Sequence, residues 1–122
     1  MKAWTTSIIV DTNVLIYSIK NRIDIEEILL RKFRIKSIIV PDCVLRELEG
    51  LSSSVPFASG ALKLAGRFDR TPSEGTGDTC ILKLAIDKGF PVLTNDLGFL
   101  SILKKNGVGC LTVKNNRDIV PW

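Results

Sequence analysis

Short apolar runs rich in β-branched residues recur along this chain, and none of them alternates with polar residues. The four runs are residues 7–10, 38–40, 91–94 and 109–113. Such a pattern is typical of strands that are covered on both faces, as in a parallel sheet. The stretches with helical periodicity are residues 14–20, 24–33, 42–51, 57–68, 78–88 and 96–105. We therefore predict an α/β fold, a three-layer α/β/α sandwich around a parallel sheet of four to five strands.

The size and composition of the chain are those of a small globular protein. Its 122 residues suffice for one hydrophobic core, so we expect a single domain over residues 1–122. Hydrophobic residues make up 45% of the chain, which argues against disorder. No run approaches the roughly 18 apolar residues of a membrane span, and the N-terminal run is too short for a signal peptide. We expect a cytoplasmic protein without membrane association.

Histidine and cysteine usage restricts the chemistry that the chain can perform. The sequence contains no histidine, which excludes an imidazole base, a Ser-His pair and a His-ligated zinc. The chain has three cysteines, Cys43, Cys80 and Cys110, and they lack C-x-x-C spacing. Because their number is odd and they lie among apolar residues, we expect small buried thiols rather than disulfides. The net charge of +4 favours a polyanionic partner only weakly. Carboxylate chemistry is what remains.

Four acidic residues lie where a ligand site is expected in such a sheet. Ligands of open parallel sheets bind at the carboxyl ends of the strands, and Asp11 and Asp96 directly follow predicted strands. Together with Asp78, each of them begins an apolar helical stripe. Glu47 lies inside such a stripe, where an ionised carboxylate needs a cation, a proton or the edge of a cleft.

Helix capping is the competing interpretation of the three aspartates. Asp is among the best N-cap residues, and a cap followed by an apolar stripe begins many amphipathic helices. Capping does not explain an acid in the middle of a helix. It also leaves unexplained the polar residues beside two of the aspartates, which are Thr12, Asn13, Thr94 and Asn95.

Convergence of the four acids would require a cation. Carboxylates about 4–6 Å apart repel one another, and a set of oxygen ligands without histidine suits Mg²⁺ or Mn²⁺ better than Zn²⁺. These ions lower the pKa of water and stabilise in-line displacement at phosphorus. In this interpretation Asp11 holds metal, and Thr12 or Asn13 orients that carboxylate or a phosphate oxygen.

Four segments of the chain resemble, in order, the motifs of the PIN domain (PilT N-terminus) ribonuclease family. They are "IIVDTNVLI", "VPDCVLREL" with Glu47 as its acid, "GTGDTCILKLA" with Asp78, and "VLTNDLGFL" with Asp96. The resemblance covers nearly the whole chain and implies a compact PIN-like α/β/α domain. It also implies an endoribonuclease that cleaves single-stranded or structured RNA with Mg²⁺ or Mn²⁺ as cofactor.

The same resemblance implies the residues of the site. Asp11, Glu47, Asp78 and Asp96 would be the catalytic acids and metal ligands, and Asn13, Thr94 and Asn95 their polar support. Some relatives carry a further acid shortly after the fourth motif's aspartate. This chain has Leu97, Gly98 and Phe99 there, which would weaken a second metal site.

The resemblance also suggests partners besides RNA. Relatives include VapC toxins and rRNA-processing nucleases, which implies an antitoxin or an rRNA-processing partner. Relatives are commonly dimers, so residues 25–33 or 57–68 are candidates for a homodimer interface.

Among the basic residues, Arg46 adjoins Glu47 and could contact a phosphate or pair with Glu49. Three other basic clusters could contact RNA or lie on a solvated face: residues 31–36, Arg67 with Arg70, and Lys104 with Lys105. A solvated face is preferred for Lys104 with Lys105, which suit the C-terminus of a helix.

Two other functions compete with the nuclease. A phosphatase of the haloacid-dehalogenase type would use Asp11 as a nucleophile and needs a second Asp two residues later, where this chain has Asn13. A non-catalytic PIN-like module that binds RNA or a protein partner would retain the acids for structure alone. The stability of such a module should not respond to added metal.

Overall fold

The structure, a computed structural model, describes residues 6–122 and contains six strands and six helices in that range. The strands are β1 (Ser7–Val10), β2 (Ser37–Pro41), β3 (Asp69–Thr71), β4 (Val92–Leu93), β5 (Cys110–Lys114) and β6 (Asp118–Pro121). The helices are α1 (Thr12–Lys20), α2 (Ile25–Phe33), α3 (Asp42–Leu51), α4 (Ala58–Ala65), α5 (Gly77–Lys88) and α6 (Leu97–Lys105).

The strands form one sheet in the order β3-β2-β1-β4-β5-β6. Five of them run parallel, and β6 pairs antiparallel with β5. The chain steps in one direction from β1 to β2 to β3, then returns to β4 and steps in the other direction to β5. With right-handed crossovers, this reversal places α1 to α4 over one face and α5 and α6 over the other. The predicted α/β fold class is confirmed.

Two strands were not predicted, and the reason differs for each. Strand β3 has only three residues, "DRT", all polar, so it lacks the apolar run by which the others are recognised. Strand β6, "DIVP", follows β5 after a short polar turn, and its apolar run of two β-branched residues is too short to be recognised as a strand by itself. The expected sheet of four to five parallel strands is therefore a sheet of six, with one antiparallel edge strand.

The core lies between the sheet and the two helical layers. Ile8, Ile9 and Val10 of β1 are completely buried, as expected for a strand covered on both faces. The α6 stripe is buried as well, with Phe99, Leu100 and Leu103 each at most 1% exposed. Within residues 6–122, no helix is long and apolar enough to cross a membrane.

Two of the three cysteines form a disulfide, which corrects the expectation of buried thiols. Cys43 at the start of α3 is bonded to Cys80 near the start of α5, with the two Cα atoms 6.8 Å apart. The sequence spacing of 37 residues gives no hint of this pairing, because only the sheet topology brings the two helix starts to one edge. Cys110 is a buried free thiol, as expected.

Candidate active site

The acidic residues lie at the point where the sheet reverses its strand order. Strands β1 and β4 are parallel neighbours, and the helices that follow them, α1 and α6, leave toward opposite faces of the sheet. Asp11 directly follows β1 and is the N-cap of α1, whereas Asp96 follows β4 and is the N-cap of α6. Ligands of open α/β sheets bind in the crevice that forms at such a switch point.

Asp11 is the buried acid of this crevice, with a side chain only 8% exposed. One carboxylate oxygen accepts a hydrogen bond from the Thr12 backbone N–H at 2.8 Å, and the other accepts one from Thr94 Oγ1 at 2.7 Å. Burial raises the pKa of Asp11, the two hydrogen bonds lower it, and repulsion by Asp78 and Glu47 raises it further. The net shift is upward, so burial and the like charges outweigh the two hydrogen bonds.

Glu47 reaches the same place from α3. Its side chain is exposed, and Oε1 accepts a hydrogen bond from Thr12 Oγ1. Thr12 therefore connects two acids, since its backbone N–H donates to Asp11 and its hydroxyl donates to Glu47. The sequence suggested that Thr12 orients Asp11 or a phosphate oxygen, and it gave no sign of the bond to Glu47, because nothing in it pairs residues 35 positions apart.

Asp78 and Asp96 are both exposed; Asp78 lies in the first turn of α5, and Asp96 precedes α6. The pKa of Asp78 is raised by partial burial, then by repulsion from Asp96 and from Glu47. One oxygen of Asp96 accepts a hydrogen bond from the Phe99 backbone N–H at 3.2 Å, as an N-cap does. Asp78 thus interacts electrostatically with the other three acids, because it also raises the pKa of Asp11.

Asn13 and Asn95 hold the strand ends together. The Asn95 backbone N–H donates to Asn13 Oδ1 at 3.3 Å, and Asn95 Oδ1 accepts from the Val113 backbone N–H at 3.1 Å. Thr94 adds a further link, because its hydroxyl accepts from the Asp96 backbone N–H at 3.2 Å while it donates to Asp11. The polar residues suggested as support therefore connect α1, the end of β4, and β5.

Arg46 contacts the loop that leads to Asp78. Its guanidinium donates to the Gly75 carbonyl oxygen at 3.1 Å, so it joins α3 to the segment before α5. Within residues 6–122 it forms no ion pair with Glu49. Arg46 is exposed beside the acids, and its contact with RNA stays a prediction.

The donor chemistry of the site fits Mg²⁺ or Mn²⁺, although the acids do not enclose an ion as they stand. The ligands on offer are carboxylate oxygens, with no imidazole, and the nearby cysteines are joined to each other. In the described part of the chain, no three acidic or cysteine side chains are arranged to hold a metal ion. Asp78 and Asp96 are exposed, so their side chains have room to turn toward Asp11.

Comparison with known proteins decides the family. A sequence model of the PIN-like domain matches residues 8–116. The chain belongs to the PIN-like domain family. Among its relatives is Ribonuclease VapC9 of Archaeoglobus fulgidus, which is 31% identical over 116 residues, a span of 91% of this chain and 85% of the relative.

Other PIN-like relatives and solved structures agree with this assignment. The rRNA-processing protein fcf1 of Schizosaccharomyces pombe is 32% identical over 118 residues, which cover 90% of this chain but only 60% of that protein. The solved structure of the PIN domain endonuclease Utp24 has a TM-score of 0.80 at 31% identity and covers 94% of this chain and 90% of that one. A domain of unknown function from Methanocaldococcus jannaschii shares the fold, with a TM-score of 0.66 at 18% identity and coverage of 90% and 92%.

Proposed function

We propose that this chain is a metal-dependent endoribonuclease that hydrolyses RNA phosphodiester bonds at a site formed by Asp11, Glu47, Asp78 and Asp96. The observation that carries the proposal is Asp11, buried at the switch point of the sheet while two further carboxylates raise its pKa. Helix capping alone requires neither this burial nor these neighbours. Relatives named as a ribonuclease and a PIN domain endonuclease support RNA hydrolysis.

Two of the four acids are fixed by hydrogen bonds, and the other two are exposed. Asp11 is fixed by Thr12 and Thr94, and Glu47 is fixed by Thr12, so these two carboxylates would form the rigid side of a metal site. Asp78 and Asp96 are exposed and would complete it from the substrate side. When bound, Mg²⁺ or Mn²⁺ supplies charge neutralisation, activation of water and stabilisation of negative charge at phosphorus.

The partners proposed from the relatives fall into two kinds. The relative named VapC9 favours an antitoxin, whereas the relatives named fcf1 and Utp24 favour an rRNA-processing role. A homodimer through α2 or α4 stays a prediction, which sedimentation at tens of micromolar would test.

A non-catalytic RNA-binding or partner-binding module is the second candidate. Two observations favour it: the acids do not enclose an ion within residues 6–122, and Asp11 and Asp96 do cap helices. Cleavage of labelled single-stranded RNA by the purified protein separates the two functions. The proposal expects cutting in Mn²⁺ that is abolished by EDTA and by Asp78→Asn. Cutting that survives both treatments would point to a contaminating nuclease, and intact RNA together with a melting temperature unmoved by Mn²⁺ would favour the module.

A further inference from the structure

The turn between β5 and β6 presents two basic residues that the sequence patterns did not single out. Lys114 ends β5, and Arg117 precedes β6. The Arg117 backbone N–H donates to the Lys114 carbonyl oxygen at 3.3 Å, and the two residues between them, Asn115 and Asn116, have φ angles of 56° and 58°. Positive φ at both central positions is typical of a type I′ hairpin turn, and Asn tolerates it better than most residues.

The sheet register brings this turn to the carboxyl ends of the parallel strands, where the acids lie. Leu93 of β4 is paired with Leu111 of β5, and the Thr94 backbone N–H donates to the Leu111 carbonyl oxygen at 3.1 Å. Lys114 follows Leu111 in the sequence by the same number of residues as Asp96 follows Leu93, so both lie beyond this last pair of β4 with β5. Neighbouring strands lie about 4.8 Å apart, so the turn begins one strand away from the end of β4.

Asn95 fastens the turn to the acidic site. Its side-chain oxygen accepts hydrogen bonds from the Val113 backbone N–H at 3.1 Å and from Thr112 Oγ1 at 3.4 Å, directly before Lys114. The backbone of Asn95 is in turn bonded to Asn13, two residues after Asp11. A short chain of hydrogen bonds therefore connects the end of β5 with the end of β1.

The charges of Lys114 and Arg117 are not neutralised by an acid within residues 6–122. Both side chains are exposed, and neither takes part in an ion pair there. The neighbouring acid, Asp118, is engaged by Lys32 at 3.0 Å. Several basic residues of the clusters that the sequence highlighted do face an acid, in the pairs Arg31–Glu27, Lys32–Asp118, Arg67–Glu26 and Arg70–Asp42.

We propose that the β5–β6 turn, through Lys114 and Arg117, binds backbone phosphates of the RNA strand that enters the acidic site. This inference rests on the proposed function, because it takes RNA as the substrate. The four acids repel a polyanion, and the positive charges of Lys114 at the end of β5 and Arg117 in the turn would offset that repulsion and release counterions from the RNA. The competing explanation is that a polar turn merely keeps an edge strand soluble, and it predicts no effect on RNA affinity.

The test is RNA affinity with the two charges removed. Lys114→Gln/Arg117→Gln is compared with a control, Lys88→Gln/Lys105→Gln, which is called the opposite-edge variant. The control removes the same charge at the C-terminal ends of α5 and α6, which lie at the amino ends of the parallel strands, away from the acids. Both pairs are made in the Asp78→Asn background, and binding of a labelled single-stranded RNA is followed by fluorescence anisotropy in Mn²⁺. We expect the turn variant to raise Kd roughly ten-fold at low salt and to reduce the slope of log K against log salt by about 1.4. The opposite-edge variant should change the two quantities far less.

Two further measurements keep the result unambiguous. Lys114→Arg/Arg117→Lys preserves both charges and should retain the affinity, and thermal melts confirm that each variant is folded. Equal affinities of the turn variant and the opposite-edge variant would overturn the inference, while Mn²⁺-dependent cutting by the unmodified protein would leave the proposed function standing. If the unmodified protein bound RNA through the turn but never cut it, hydrolysis would fail and the RNA contact would stand. If it neither bound nor cut RNA, both would fail.

Discussion

Thr94 is the side chain on which the arrangement of two acids depends. It is completely buried, its hydroxyl donates to Asp11, and its oxygen accepts from the backbone of Asp96. A single hydroxyl therefore orients a buried carboxylate and the start of α6 together. The motif "TND" has a physical meaning here, since Thr94, Asn95 and Asp96 each make a different connection within the site.

Replacing Thr94 by Val should separate the hydroxyl from the shape of the side chain. We expect Thr94→Val to lower the free energy of unfolding by about 1–3 kcal/mol, because one oxygen of a buried carboxylate loses its donor. Thr94→Ser keeps the hydroxyl and should recover most of the hydrogen-bond contribution. Urea denaturation of the three proteins measures the difference, and equal stability of the Val variant and the unmodified protein would contradict the role given to this bond.

The raised pKa values of Asp11 and Asp78 predict how the metal-free protein responds to pH. Burial is the main cause for both carboxyls, and like charges add to it. A group with a higher pKa in the folded state contributes stability that is complete below its unfolded pKa and is lost as the pH rises through its folded pKa. These two groups should therefore stabilise the metal-free fold most below about pH 4 and contribute progressively less as the pH rises above that value.

Added Mn²⁺ should reverse this loss, because metal binds the ionised carboxylates and not the protonated ones. The rise in melting temperature caused by millimolar Mn²⁺ should be largest near neutral pH and shrink as the pH falls toward the raised pKa values. Thermal melts with and without Mn²⁺ across this range measure it. A shift that is the same in the Asp78→Asn variant would show that Mn²⁺ binds elsewhere.

At the scale of elements, the disulfide joins the two helices that carry Glu47 and Asp78. Cys43 lies one turn before Glu47 on α3, and Cys80 lies two residues after Asp78 on α5. The Cys43 backbone N–H also donates to Ser73 Oγ in the loop before α5. The covalent link and this hydrogen bond set the spacing of α3 and α5 at the edge where the acids lie.

Reduction of the disulfide should therefore affect both stability and the site. For a loop of 37 residues, the chain-entropy estimate is a loss of about 4 kcal/mol in the free energy of unfolding. We expect dithiothreitol to lower the melting temperature and to weaken its response to Mn²⁺. The variant Cys43→Ser/Cys80→Ser should show the same changes without reductant and no further change with it. A reductant effect that persists in this variant would have to come from Cys110.

The helices and strands differ in how well the sequence predicts them. Helix positions were predicted well because caps and stripes are local signals; α3, for example, has the predicted bounds of residues 42–51. The short polar strand β3 carries no such signal, since pairing with β2 alone makes it a strand. The Cys43–Cys80 bond and the Thr12–Glu47 bond were missed for a similar reason, because both join residues that only the sheet topology brings together.

At the scale of the whole molecule, strand order determines where chemistry can occur. The chain reverses its stepping direction between β1 and β4, so α1 and α6 diverge and leave a crevice at the carboxyl ends of these strands. The sequence predicted the parallel α/β fold and placed Asp11 and Asp96 directly after strands, because both features follow from composition and local pattern. The sequence could not supply the strand order, because that order depends on long-range pairing. In the observed order, β4 pairs with β1 and not with β3, which precedes β4 in the chain.

The central claim is that the acids hold metal for RNA hydrolysis and do more than cap helices. Asp24 provides a matched control, because it is the N-cap of α2 and accepts from the Glu27 backbone N–H at 3.1 Å, as Asp96 does from Phe99. Asn caps a helix about as well as Asp, so Asp24→Asn and Asp96→Asn should both fold.

The measurement that tests this claim most directly is Mn²⁺-dependent cleavage of single-stranded RNA by Asp96→Asn, Asp11→Asn and Asp24→Asn side by side. We expect the first two variants to lose roughly 100-fold or more of the activity, a typical cost of removing a group that stabilises transition-state charge, while Asp24→Asn retains it. Cleavage by Asp96→Asn and Asp11→Asn at the rate of Asp24→Asn would contradict the account and leave the two aspartates as helix caps.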